Sequence, residues 1–91
     1  MVVVEPRVDF DDDASSHSTL LQVVAQDVPG LLRALSLTLA AHGCNIEVAL
    51  VDTEGETAID VFYLTRNKAK LETTEENGLC EALLKAMAAN T

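Results

Sequence analysis

Hydrophobic and polar positions alternate near the start of the chain, over residues 6–11. Val8 and Phe10 lie on one side of this segment, and charged residues lie on the other. A period of two predicts a β-strand, and the charged side and the leading Pro6 are typical of a sheet edge. After a polar turn, residues 19–26 are apolar on both sides. This pattern predicts a central strand, with the first strand antiparallel beside it.

The next segment has the spacing of an amphipathic helix. Asp27 is suited to cap this helix, Pro29 to its first turn and Gly43 to its end. The opposite side of the helix carries Leu37 among alanines, with Arg33 as its only charge, so we expect a partner to cover part of it. At about 100° per residue, seven positions share one arc that is expected to face the sheet: Val28, Leu31, Leu32, Leu35, Thr38, Leu39 and His42.

Two more strands and a second helix complete the pattern. Residues 45–53 and 56–65 are predicted strands, joined by a hairpin at residues 54–55. The second of these strands is apolar on both faces apart from an aspartate, so the face away from the helices is expected to support association. A helix then begins with a capping-box pattern formed by Thr73 and Glu76.

The predicted order, ββαββα, indicates an α+β fold of the ferredoxin-like kind, which ordinarily runs βαββαβ. The N-terminal strand would replace the usual last strand. We therefore expect a four-stranded antiparallel sheet with both helices on one face. Residues 1–5 would form a tail and residues 6–91 a single domain.

Composition narrows the classes of partner. The 91 residues are 48% hydrophobic and carry a net charge of −9, with no cluster among the six Lys and Arg residues. This charge disfavours nucleic acid and anionic membranes as partners, and no run reaches the roughly 18 apolar residues of a membrane span. The opening residues do not resemble a signal peptide. Cys44 and Cys80 lie far apart, so we expect reduced thiols, a cytoplasmic location and no metal site.

Catalytic and nucleic-acid-binding versions of this fold are disfavoured by the residues themselves. Phe62 and Tyr63 are adjacent and so lie on opposite faces of a strand, whereas an RNA-binding sheet needs stacking aromatics and basic residues. Asp27 lies in the loop before the first helix, where its negative charge would repel a phosphate group. His17 and His42 have no nucleophile at an informative spacing. We therefore expect a binding domain without enzymatic activity and without a cofactor.

Four blocks in order carry a family resemblance. They read Gln-Asp-Val-Pro-Gly-Leu-Leu at 26–32, Ala-His-Gly-Cys-Asn-Ile at 41–46, Gly-Glu at 55–56 and Asp-Val-Phe-Tyr-Leu-Thr at 60–65. The chain resembles the ACT family of ligand-sensing regulatory domains over residues 6–88. Within that family it is most similar to the C-terminal ACT domain of bacterial protein-PII uridylyltransferases. Val28 departs from that subfamily, in which this position is commonly basic.

The resemblance implies an amino-acid ligand bound between the turn before the first helix and the start of the next strand, segments that commonly meet across a dimer interface in ACT domains. Glutamine is the first candidate, by analogy with the uridylyltransferases and nitrogen metabolism, and a homodimer is expected. The alternative is a dimerisation or protein-interaction module that binds no ligand, or the regulatory fragment of a uridylyltransferase-like enzyme. The expected ligand contacts are Asp27, Val28, Pro29, Gly30, Leu31, Asn45 and Ile46.

Overall fold

The computed structural model describes residues 3–89, and its elements follow the predicted ββαββα order. Residues 1–2 of the expected tail and residues 90–91 of the expected domain lie outside the described residues, so the division into tail and domain stays a prediction. Each predicted strand is confirmed to within one residue at each end. The elements are β1 (Arg7–Asp11), β2 (Thr19–Gln26), α1 (Leu31–Ala41), β3 (Asn45–Glu54), β4 (Thr57–Thr65) and α2 (Thr73–Ala89).

The strands form one antiparallel sheet in the order β1-β2-β4-β3. β1 lies at one edge, where Val8 pairs with Val23 and Phe10 with Leu21 of β2. The N-terminal strand thus occupies the place of the last strand in the usual order, as predicted. β3 forms the opposite edge and is joined to β4 by a two-residue turn that starts at Gly55, whose φ of 61° matches a type II′ hairpin.

The hydrophobic core lies between the sheet and the helices. Cross-strand pairing places alternate residues of β2 and β4 on the face that the helices cover, which matches the alternating burial of both strands. The core residues are Leu21, Val23, Ala25, Leu31, Leu35, Leu39, Ala58, Phe62, Leu64, Leu71, Leu79, Leu83 and Met87. Both helices therefore pack on one side of the sheet, in agreement with the ferredoxin-like prediction.

Helix α1 buries a narrower stripe than its sequence predicts. Leu31, Leu35 and Leu39, spaced four residues apart, are buried against the sheet. Leu32 and His42 were expected on the same face, but both are exposed. Leu32 follows Leu31 by about 100° around the helix, which places it on the flank of the buried stripe. The structure thus corrects the predicted arc at these two positions.

The capping interaction of α2 is shifted by one residue from the predicted pair. Glu75 Oε1 accepts a hydrogen bond from the backbone N–H of Glu72 at 2.8 Å, which is one half of a capping box. Thr73 is already inside the helix, so the predicted pairing of Thr73 with Glu76 is wrong. Glu76 instead lies beside Asp12 of the β1–β2 connection.

Several large apolar side chains are exposed. On α1, Leu37 is 55% exposed, as the sequence predicts for the outer side of that helix. On the edge strand β3, Val48, Leu50 and Val51 are each about half exposed, and every residue of this strand except Ile46 is exposed. Leu37 and the apolar residues of β3 lie on different elements, so they mark two separate surfaces at which a partner could bind.

Candidate functional site

The turn between β2 and α1 is held against the β3–β4 hairpin. The N–H of Asp27 donates a hydrogen bond to the carbonyl oxygen of Glu56 at 2.8 Å. Gly30 follows with φ 82° and ψ 0°, a left-handed conformation that glycine adopts without steric cost. Its carbonyl oxygen accepts the first bond of the helix, from Ala34 N at 2.9 Å. The turn therefore directs the start of α1 toward the hairpin end of the sheet.

Asp27 does not cap α1, which corrects the sequence prediction. The residue at the N-cap position is Gly30, and no side chain makes a capping hydrogen bond there. The helix begins two residues beyond Pro29, so Asp27 lies too early in the chain to reach the first turn as a cap. The first backbone amides of an α-helix have no partner within the helix itself. The positive end of the helix dipole is consequently free of a side-chain cap.

A pocket of about 200 Å³ opens at this helix start. It is smaller than the roughly 300–1,000 Å³ of sites for drug-sized ligands, so it suits a compact molecule. Four of the five turn residues predicted as ligand contacts, Asp27, Val28, Gly30 and Leu31, line it. The remaining walls come from Leu32, Arg33, Val51, Thr53, Ala58 and Asp60. The structure thus brings the turn together with the hairpin end of β3 and β4.

Two charged residues in this pocket were missed as site residues at the sequence level. Arg33 lines the pocket from α1, and neither of the two salt bridges among residues 3–89, Arg7–Asp9 and Arg66–Glu75, involves it. Asp60 lines the pocket from β4 and is buried. Burial raises the pKa of the Asp60 carboxyl, and the nearby negative charge of Asp27 raises it further.

A signal for Asp60 is present in the sequence. It alternates in step with Ala58, Phe62 and Leu64, which face the core. A carboxylate at that position must point toward the helices and away from solvent. This core-facing position in the strand distinguishes Asp60 from the exposed acidic residues that account for most of the net charge.

Asn45 and Ile46 lie away from the turn pocket within one chain. Asn45 follows the C-terminal end of α1, whose 11 residues span roughly 16 Å at about 1.5 Å per residue. Its side-chain amide donates to the Glu47 carboxylate, and it lines a different pocket with Thr65 and Lys68 among others. Ile46 packs against the core. The two predicted ligand segments are therefore not joined within a single copy.

The described part of the chain has no cluster of metal-ligand type. Among residues 3–89, no group of three or more His, Cys, Asp or Glu side chains could hold a metal ion. Cys44 and Cys80 are free thiols, and burial raises the pKa of Cys44. No helix within the same residues is long and apolar enough to cross a bilayer.

Comparison with known proteins supplies the family. The model of the ACT domain family matches residues 19–76. The chain is 38% identical over 89 residues to a bifunctional uridylyltransferase/uridylyl-removing enzyme of Caulobacter vibrioides, covering 96% of this chain and 10% of that protein. It is 42% identical over 88 residues to the enzyme of the same name from Azospirillum brasilense, covering 93% and 9%. The Streptomyces coelicolor enzyme of that name is 44% identical over 63 residues, covering 69% and 8%.

The chain thus spans about a tenth of the length of these curated relatives. The ferredoxin-like sheet, the turn at residues 27–31 and the family match agree with one another. ACT domains are generally small-molecule regulatory domains. The chain belongs to the ACT domain family.

Proposed function

We propose that this chain is a regulatory domain that binds an amino acid in the pocket at the start of α1. The observation that carries the proposal is the N-terminus of that helix, which has no side-chain cap and opens onto a pocket. The amides of the first turn and the helix dipole favour a carboxylate at this position. Gly30 has no Cβ to obstruct the approach of the ligand, and Arg33 adds a positive charge.

Glutamine is the first ligand to test, by analogy with the uridylyltransferases to which the chain is similar. The same analogy supports a cytoplasmic role in the control of nitrogen metabolism. The turn residues Asp27, Val28, Pro29, Gly30 and Leu31 are proposed as contacts from one copy. Asn45 and Ile46 are proposed as contacts from a second copy.

Thermal melting with each of the proteinogenic amino acids tests the ligand proposal. A ligand at a hundred times its dissociation constant adds about 2.7 kcal/mol to the free energy of unfolding. In a domain of this size each kcal/mol raises the melting temperature by about 4–8 °C, so a rise of roughly 10 °C or more is expected. If no amino acid changes the melting temperature, the domain does not work as proposed.

Two leucine substitutions locate the ligand. Leu32→Glu adds a negative charge to the pocket at a side chain that is 43% exposed, so it should repel the ligand carboxylate with little effect on folding. Leu84→Glu is the matched control, because it adds the same charge to a 38% exposed leucine on α2. We expect the ligand-induced rise in melting temperature to shrink only in Leu32→Glu. An equal rise in both variants would show that the ligand binds outside this pocket.

The proposed homodimer follows from the edge strand. β3 leaves one side of its backbone unpaired along an exposed strand that carries Val48, Leu50 and Val51. If two copies pair antiparallel through β3 about a two-fold axis, Asn45 at one end of the strand lies beside the other end of its partner. That other end includes Thr53, which lines the turn pocket. Such pairing would complete a site that a single chain leaves divided.

Light scattering coupled to size exclusion tests this arrangement. The dimer should have twice the 9.7 kDa mass of the chain. Leu50→Lys places a charge on the β3 edge and should yield the monomer, whereas Leu37→Glu on α1 should leave the dimer intact. The opposite pattern would assign the interface to the helix side. A wild-type monomer, with and without amino acid, contradicts the shared site.

The second candidate function, a dimerisation module without ligand, is favoured by the same exposed edge strand. It predicts a dimer that no amino acid stabilises. The melting and light-scattering experiments together distinguish it from the amino-acid sensor.

A further inference from the structure

Asp60 is a buried acid, and one of its carboxylate oxygens has no hydrogen-bond partner. Its side chain is on the core-facing side of β4, between Val23 of β2 and Val51 of β3. The residue is only 2% exposed, and its Oδ1 atom has no hydrogen-bond partner. Buried carboxylates are ordinarily paired with a cation or hydrogen-bonded. Asp60 therefore requires an explanation that the fold alone does not supply.

The surroundings of Asp60 make its charge more costly. Asp27 also lines the pocket, and its negative charge raises the pKa of Asp60. Arg33 lines the same pocket but forms no salt bridge with Asp60. Its cross-strand neighbours are Val23 of β2 and Val51 of β3, whose side chains offer no hydrogen-bond donor. A cation from outside the chain would compensate this carboxylate.

The pocket combines two kinds of recognition within about 200 Å³. The first turn of α1 and Arg33 suit an anion, and Asp60 suits a cation. A small molecule that carries both groups close together is a zwitterion such as an α-amino acid. We propose that Asp60 is the residue that binds the ammonium group of the ligand, while the helix start binds its carboxylate. This inference rests on the proposed function and gives the ammonium group a contact within the same pocket as the helix start.

The experiment compares Asp60→Asn with Asp13→Asn. Both changes remove one negative charge, but Asp13 is exposed in the β1–β2 connection and does not line the pocket. The probe is the L-amino acid that most raises the wild-type melting temperature, L-glutamine first. A second probe is its counterpart with hydrogen in place of the ammonium group, which for glutamine is glutaramic acid.

We expect Asp60→Asn to weaken amino-acid binding at least about tenfold, equivalent to about 1.4 kcal/mol, and Asp13→Asn to bind like the wild type. Glutaramic acid should bind the wild type more weakly than glutamine, and its affinity should not fall in Asp60→Asn. Without ligand, Asp60→Asn should melt at a higher temperature than the wild type, because it removes an uncompensated buried charge.

The outcomes separate the two proposals. If the wild type responds to an amino acid and Asp60→Asn responds equally, the role of Asp60 is overturned while the proposed function stands. Equal binding of glutamine and glutaramic acid to the wild type overturns that role without any variant. A wild type that responds to no amino acid overturns the proposed function, and the role of Asp60 with it.

Discussion

Replacing Gly30 by alanine tests the backbone turn on which the pocket depends. Gly30 has φ 82° and ψ 0°, a left-handed conformation in which the Cβ of an L-residue crowds the backbone. The cost is roughly 1–2 kcal/mol per residue. Because 1 kcal/mol changes the melting temperature of a domain of 60–100 residues by about 4–8 °C, Gly30→Ala should melt roughly 4–16 °C below the wild type.

Gly78→Ala is the matched control for this substitution. It adds the same methyl group in the interior of α2, where φ is not positive and nothing lies within 4 Å of the added Cβ. Alanine there should stabilise the protein by about 0.5–1 kcal/mol, since it lowers the entropy of the unfolded chain without strain. The two variants should therefore shift the free energy of unfolding in opposite directions.

Urea unfolding and thermal melting, followed by circular dichroism, measure both variants. A Gly30→Ala protein as stable as the wild type would show that this residue is not left-handed in solution. The start of α1 would then lie at another residue, and the pocket would have a different geometry. A destabilised Gly78→Ala variant would instead contradict the helical assignment of that residue.

Three further outcomes follow from buried groups. Leu39→Ala, at a fully buried position, should cost about 2–5 kcal/mol of unfolding free energy in urea. Thr19→Val should cost about 1–3 kcal/mol, because its buried hydroxyl donates to Asp12 Oδ1 at 2.8 Å and accepts from Leu71 N at 3.0 Å. Burial and the neighbouring Asp12 raise the pKa of Glu76 from 4.5 to about 7. Protonated Glu76 therefore stabilises the folded state below pH 4.5, and this contribution is lost as the pH rises through about 7. Glu76→Gln stays neutral and should flatten the fall in melting temperature measured over that pH range.

The sheet could be predicted from sequence because its signals are local. Alternation over residues 6–11 follows the side-chain period of a strand, the run over residues 57–65 is apolar on both faces as in a central strand, and Gly55 marks the hairpin. The predicted helix starts were less accurate. Asp27 is of a residue type that commonly caps helices. Pro29 and the left-handed Gly30 delay the start of the helix, and the pattern of side chains does not reveal that delay.

The candidate site was predictable only in part for a different reason. The turn motif identified one wall of the pocket, since its residues are contiguous. The other walls come from Val51, Thr53 and Asp60, which are distant in sequence and reach the turn only through the pairing of β3 with β4. Asn45 is contiguous with a family motif, yet it lies at the far end of α1 within one chain, so its proposed role depends on a second copy.

Thr19 and Asp60 show two ways in which this small core contains a polar group. Both are almost fully buried and both lie on the core-facing side of a central strand. The hydroxyl of Thr19 joins the β1–β2 connection to the segment before α2 through two hydrogen bonds. Asp60 has an oxygen with no partner, and the negative charge of Asp27 raises its pKa further. The hydrogen bonds of Thr19 stabilise the fold. A buried group that costs stability and faces a pocket is the kind that function retains, which is why we propose that Asp60 serves ligand binding and not folding.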